Sequence, residues 1–76
     1  MATTAVPVND KTWTQVLVGS GFVYCEERIQ YAFSATTPTI RGNLLPKFSQ
    51  ITGAATQTLW AKSVDEPTEN VYVTVA

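Results

Sequence analysis

The chain has 76 residues, room for one domain near the lower size limit for independent folding, so one small core supplies roughly 3–5 kcal/mol. Charged residues make up 14% with a formal net charge of -1, and the five basic residues are scattered, which excludes a basic surface for nucleic acid. One cysteine and no histidine exclude an internal disulfide and a structural zinc site, so no metal or cofactor is expected and oligomerisation or docking on a partner is the remaining support.

Residues 1–11 are small, β-branched or turn-forming. Pro7 fixes its own φ, and Asn9-Asp10 reads as a turn. They are expected to form an extended N-terminal arm, either frayed or pairing with a neighbouring subunit, ahead of a single β domain over 12–76. Thr12 to Val18 is aromatic and β-branched and predicts a strand. Gly19-Ser20-Gly21 predicts a break of hairpin type, and Phe22 to Cys25 resumes the strand. Cys25 reads as a small buried hydrophobe. Glu26-Glu27 ends that strand. Arg28 to Ser34 alternates, with Ile29, Tyr31 and Phe33 on one face.

Residues 35–43 predict a connection punctuated by Pro38 and Gly42-Asn43. Leu44 to Thr52 contains Pro46, so its start must be an edge or a bend, with Phe48 and Ile51 expected in the core. Gly53-Ala54-Ala55 predicts a turn. Gln57 to Ser63 predicts a strand with Trp60 facing opposite to Leu59 and Ala61. Asp65-Glu66-Pro67 predicts a loop, and Asn70 to Val75 a last strand with Val71, Val73 and Val75 on one face. No segment carries helical periodicity. Six short strands with turns every 8 to 12 residues or so predict an all-β fold, a small antiparallel β-sandwich or β-barrel.

Catalytic chemistry finds little material. Without histidine the usual base is missing, and Ser49 with Lys47 or Ser63 with Lys62 are chance pairings. Glu26-Glu27 and Asp65-Glu66 read as solvated turn charges that also blunt strand edges. Gly19-Ser20-Gly21 lacks the pattern of a phosphate loop. The chain therefore reads as no enzyme. The eight aromatics are better explained by packing than by stacking on bases or sugars. Trp13 and Trp60 are the exceptions, as large aromatics favour interfaces. With Val6 and Val8 of the arm they are the expected interface residues. No apolar run reaches the roughly 20 residues of a membrane span, and the first ten residues lack the pattern of a signal peptide. The expected place of synthesis is a cytoplasm, with no membrane partner.

Trp13 before a valine-rich strand, the Gly19-Ser20-Gly21 break, Ile29-Gln30-Tyr31-Ala32-Phe33 followed by Pro38, and Gly42-Asn43-Leu44-Leu45-Pro46 form one series. Ile51-Thr52-Gly53, Leu59-Trp60-Ala61-Lys62 and Val71-Tyr72-Val73-Thr74-Val75 complete it. From about Thr12 to Val75 this series resembles the short β-rich virion proteins of tailed bacteriophages. The resemblance implies a non-enzymatic virion component, foremost a capsid decoration protein that cements the shell surface, often as a trimer. Its partners would be copies of itself and the major capsid protein or another virion protein. A tail, baseplate or fibre-associated subunit is the alternative within that class, and a carbohydrate- or host-surface-binding module the alternative outside it.

Overall fold

Threonine and valine stiffen the backbone at χ1 and favour the pleated state, and the chain forms strands nearly throughout. The computed structural model describes residues 2–39 and 41–76. It contains β1 (Ala2–Asn9), β2 (Thr14–Val18), β3 (Gly21–Cys25), β4 (Ile29–Phe33), β5 (Asn43–Leu45), β6 (Ser49–Gly53), β7 (Thr58–Ser63) and β8 (Thr68–Val75). They build two four-stranded sheets, β1-β8-β3-β6 and β2-β7-β4-β5, with every pairing antiparallel.

The pairs nest. β1 lies on β8, β2 on β7, β3 on β6 and β4 on β5, like one long hairpin folded at its middle. Two further pairings, β3 on β8 and β4 on β7, roll that ribbon into a two-layer sandwich. This is the winding of a jelly roll, compressed to principal extents of 29 × 24 × 17 Å.

Two expectations change. Among the described residues there are eight strands rather than six, in part because residues 2–9 pair along their whole length with β8 of the same chain instead of standing free as an arm. The stretch 44–52 also splits into β5 and β6. Pro46 ends the first, and Phe48 takes a positive φ of 56° between them. That φ turns Phe48 outward, 67% exposed, against the expectation of a core residue. Ile51 does pack against the core.

The alternation read from sequence decides what fills the sandwich. Ile29, Leu59, Val8, Val23, Val71 and Cys25 are its most deeply buried side chains. Val71 and Val73 of β8 and Leu59 and Ala61 of β7 face each other's sheets, as period 2 requires. Full burial of one such aliphatic side chain contributes about 1.5–3 kcal/mol. The Cys25 thiol donates to the carbonyls of Pro46 (3.3 Å) and Ser49 (3.5 Å), and burial raises its pKa, so it behaves as a core residue.

Gly19-Ser20-Gly21 is not a hairpin turn. β2 and β3 belong to different sheets, and the glycines carry the chain across the open edge between them. Gly19 has φ 87° and Gly21 φ 150°, both foreign to L side chains, and a Cβ on Gly21 would run into the Thr74 carbonyl oxygen.

Candidate functional site

In a chain of alternating antiparallel strands, alternate connections fall at the same end of the sandwich. The first, third, fifth and seventh connections carry Asp10 and Lys11, then Glu26, Glu27 and Arg28, then Lys47, then Asp65 and Glu66. The opposite end receives the 19–20, 34–42 and 54–57 connections, and the only charged side chain in their sequences is Arg41. The molecule therefore has a charged end and a neutral end.

The charged end is organised by side chains. Asn9 Oδ1 accepts from the backbone N–H of Lys11 (2.9 Å) and of Thr12 (2.7 Å), the turn chemistry expected of Asn9-Asp10. Arg28 donates to both Asp65 oxygens, Nε at 3.0 Å and Nη2 at 2.6 Å. This hydrogen-bonded pair holds the Asp65 carboxyl below its usual range and raises Arg28 further. Lys47 Nζ sits 3.5 Å from Glu27. The Ser49 and Ser63 hydroxyls donate to the Lys47 and Glu66 carbonyls, so neither is set beside a base.

Glu69 is the group sequence reasoning missed. It shares the phase of Val71 and Val73, stands opposite Val8 in the β1 ladder, and turns inward. Both carboxylate oxygens are shielded, with no hydrogen-bond partner among the described residues. Burial first, then the charges of Glu27, Asp65 and Glu66, push its pKa up to about 7. The signal was present in the sequence, since extending the last strand back to Thr68 puts Glu69 in register with the valines. It shares an open recess of about 340 Å³ with Glu26, Glu27, Phe48, Asn70 and Tyr72. The Glu26 carboxylate there accepts from the Tyr72 hydroxyl and raises that phenol.

The neutral end presents Val18, 62% exposed, Val75, 53% exposed, and Phe33. Beside them lies an apolar recess of about 240 Å³ lined by Ser20, Gly21, Phe22, Thr52, Gly53 and Ala76. Through Phe22 and Thr52 this recess runs onto the outer face of the first sheet. The register sets Thr3, Ala5 and Pro7 of β1, Asn70, Tyr72 and Thr74 of β8, Phe22 and Tyr24 of β3, and Gln50 and Thr52 of β6 side by side there. None of these strand side chains is ionic, and Glu26 borders them beside Asn70 and Tyr72 at the charged end. Neutral end and sheet face form one continuous, largely uncharged surface of aromatic, threonine and small side chains, with Arg41 in a loop at one end and Glu26 at the other border.

The four expected interface residues do not come together on it. Val8 is 1% exposed, a core residue covered by its own sandwich and closed to a neighbour. Val6 is half-buried against the same core. The two tryptophans lie over the second sheet. Trp60 Nε1 donates to the Ser34 carbonyl at 2.8 Å, and Trp13 packs on Gly42 with Lys62 Nζ 5.4 Å from its ring centroid. Ala32 faces outward yet is buried, and Pro38 is buried too, because residues 34–39 fold back over this face. Trp13 and Trp60 thus anchor a long loop.

Comparison of the chain with protein-family models, with curated proteins and with solved structures finds no match in any of the three.

Proposed function

We propose that this chain is a non-enzymatic structural subunit of a tailed-phage virion, a capsid decoration protein that docks through its uncharged surface. The observation that carries the reading is the segregation of charge. A surface with few ionic groups sheds little ion hydration when it is covered, and aromatic rings among threonines offer both contact area and hydroxyl partners. The opposite end keeps its charges in water and holds the subunit soluble before assembly. Jelly-roll windings serve viral capsid domains as well as lectins, so the winding is compatible with the proposal without choosing it. The phage class itself rests on the motif resemblance in the sequence.

Co-sedimentation with genome-free phage shells tests the proposal. The chain should pellet with shells. Val18→Lys and Thr52→Glu, both at exposed positions of the uncharged surface, should weaken binding by about tenfold or more while leaving the melting temperature in place. A wild-type chain that stays in the supernatant and runs as a single subunit at every concentration overturns it. A second reading has one observation behind it: Phe22, Tyr24 and Tyr72 sit together on a sheet face, the kind of platform on which sugar rings stack. Glycan binding that Tyr72→Ala abolishes, without shell binding, would put that reading in first place.

A further inference from the structure

Among the described residues four strands have a free edge, two of them blunted and a third shorter than β1. β2 carries a register irregularity between Gln15 and Leu17, β5 is three residues long and runs into Pro46, and β6 is five residues long. β1 is eight residues long, uncharged and regular throughout its ladder. A long, neutral, regular edge is the arrangement folded proteins ordinarily avoid unless another strand covers it.

The hydrogen-bond phase of that edge is fixed. Asp10 donates its N–H to the Pro67 carbonyl at 3.2 Å, in line with the β1–β8 register, so the even-numbered residues of β1 bond inward to β8. Two observations agree. Pro7, which has no N–H, falls at an outward position, and Thr3 meets Thr74 Oγ1 to Oγ1 at 2.8 Å, the close side-chain approach of a non-bonded pair. The outward groups are therefore the N–H and C=O of Thr3, Ala5 and Asn9 and the C=O of Pro7.

We propose that this edge pairs antiparallel with β1 of a second copy, about a twofold axis at Thr4. The inference rests on the assembly reading above and names the edge and partner. A twofold at Thr4 sets Thr3 against Ala5 of the copy and Ala5 against Thr3, so all four residues use both N–H and C=O. A twofold at Ala5 would set Thr3 against Pro7, and one at Val6 would set Ala5 against Pro7; in either case the missing proline donor leaves the facing carbonyl empty. Pro7 thus selects the register. No like charges meet across the β1 edge, and the two first sheets fuse into one eight-stranded sheet with a continuous, largely uncharged outer face. The pairing is isologous and closes at two copies. It replaces the trimer implied by the motif resemblance.

Thr4 would then stand directly opposite Thr4 of the copy as a non-bonded pair, with Cα atoms about 4.5 Å apart, within disulfide range. Thr4→Cys should therefore oxidise to a covalent dimer, whereas Thr3→Cys, which faces Ala5, should not. Ala5→Pro removes one outward donor per chain and no bond to β8, and should weaken the dimer about tenfold or more by analytical ultracentrifugation. In amide exchange at high concentration, Thr3 and Ala5 should be protected, and dilution should release them while Thr4 and Val6 stay slow. If Ala5→Pro unfolds, the cysteine pair and amide exchange on the wild type still decide. An assembly of three chains, or a dimer untouched by Ala5→Pro without the Thr4 cross-link, overturns the edge pairing and leaves the assembly reading standing. A single chain at every concentration that still binds shells also overturns the pairing alone. A single chain that binds no shell overturns both.

Discussion

The two ends of the sandwich are built from the same strands and differ in how the chain turns. At the charged end the turns are held by side chains: Asn9 on two backbone amides, Arg28 on Asp65, Ser63 on the Glu66 carbonyl. At the neutral end they are held largely by backbone: Gly19 N–H on the Gln57 carbonyl, Ser34 N–H on Thr58, Ala76 N–H on Ser20. Backbone closure frees the side chains of the neutral end for contact, and side-chain closure spends the ionic groups on the turns they serve. A small chain with few charges can gather most of them at one pole by placing them in alternate connections.

If the neutral end depends on backbone closure, a single methyl group there should do more harm than the loss of an ion pair at the other. Gly21→Ala should cost about 3 kcal/mol or more in denaturant unfolding, from its φ and the clash with the Thr74 carbonyl. A loss under about 1 kcal/mol would mean that β3 and β8 can separate cheaply.

The next effect belongs to Glu69. Its folded pKa lies above the ordinary carboxylate value, so the folded state holds the proton more tightly. Its contribution is complete in acid and is lost as pH rises from about 4.5 through about 7. Discounted for solvent screening, that loss is about 1–2 kcal/mol. Thermal melts should show the chain more stable at pH 5 than at pH 8, and Glu69→Gln should flatten the difference. Asp65 works in the opposite direction, its stabilising pairing lost as pH falls through its lowered pKa, below the window of Glu69. Equal melting temperatures at pH 5 and 8 in the wild type would show Glu69 already solvated.

The smallest effect should come from Arg28→Ala. Its pair with Asp65 is bidentate but exposed, and the modest loss should vanish in high salt.

Much of this was legible in the residues. The alternation of Ile29-Gln30-Tyr31-Ala32-Phe33 and of Val71-Tyr72-Val73 fixed their inward faces, because period 2 is local. The placement of charge at turns was legible too. That these turns share one end requires the antiparallel path, which only pairing supplies. Gly19-Ser20-Gly21 has hairpin composition, yet the partners of β2 lie 40–47 residues downstream, and β3 pairs with both β6 and β8. Residues 2–9 looked like an arm because their partner is the last strand. Phe48 reads as a core residue by its type, and its positive φ turns it outward. Ala32 is buried by a loop with no periodicity of its own, and the two tryptophans took their surroundings from that same loop.

The nesting of β1 on β8 also sets a timetable. The strand that leaves the ribosome first in this domain finds its place only when the last has emerged, so the sandwich cannot be completed piecemeal during synthesis. For that interval the nascent chain holds an uncharged strand without its native mate, and folding speed, more than final stability, decides how much of it reaches the finished form.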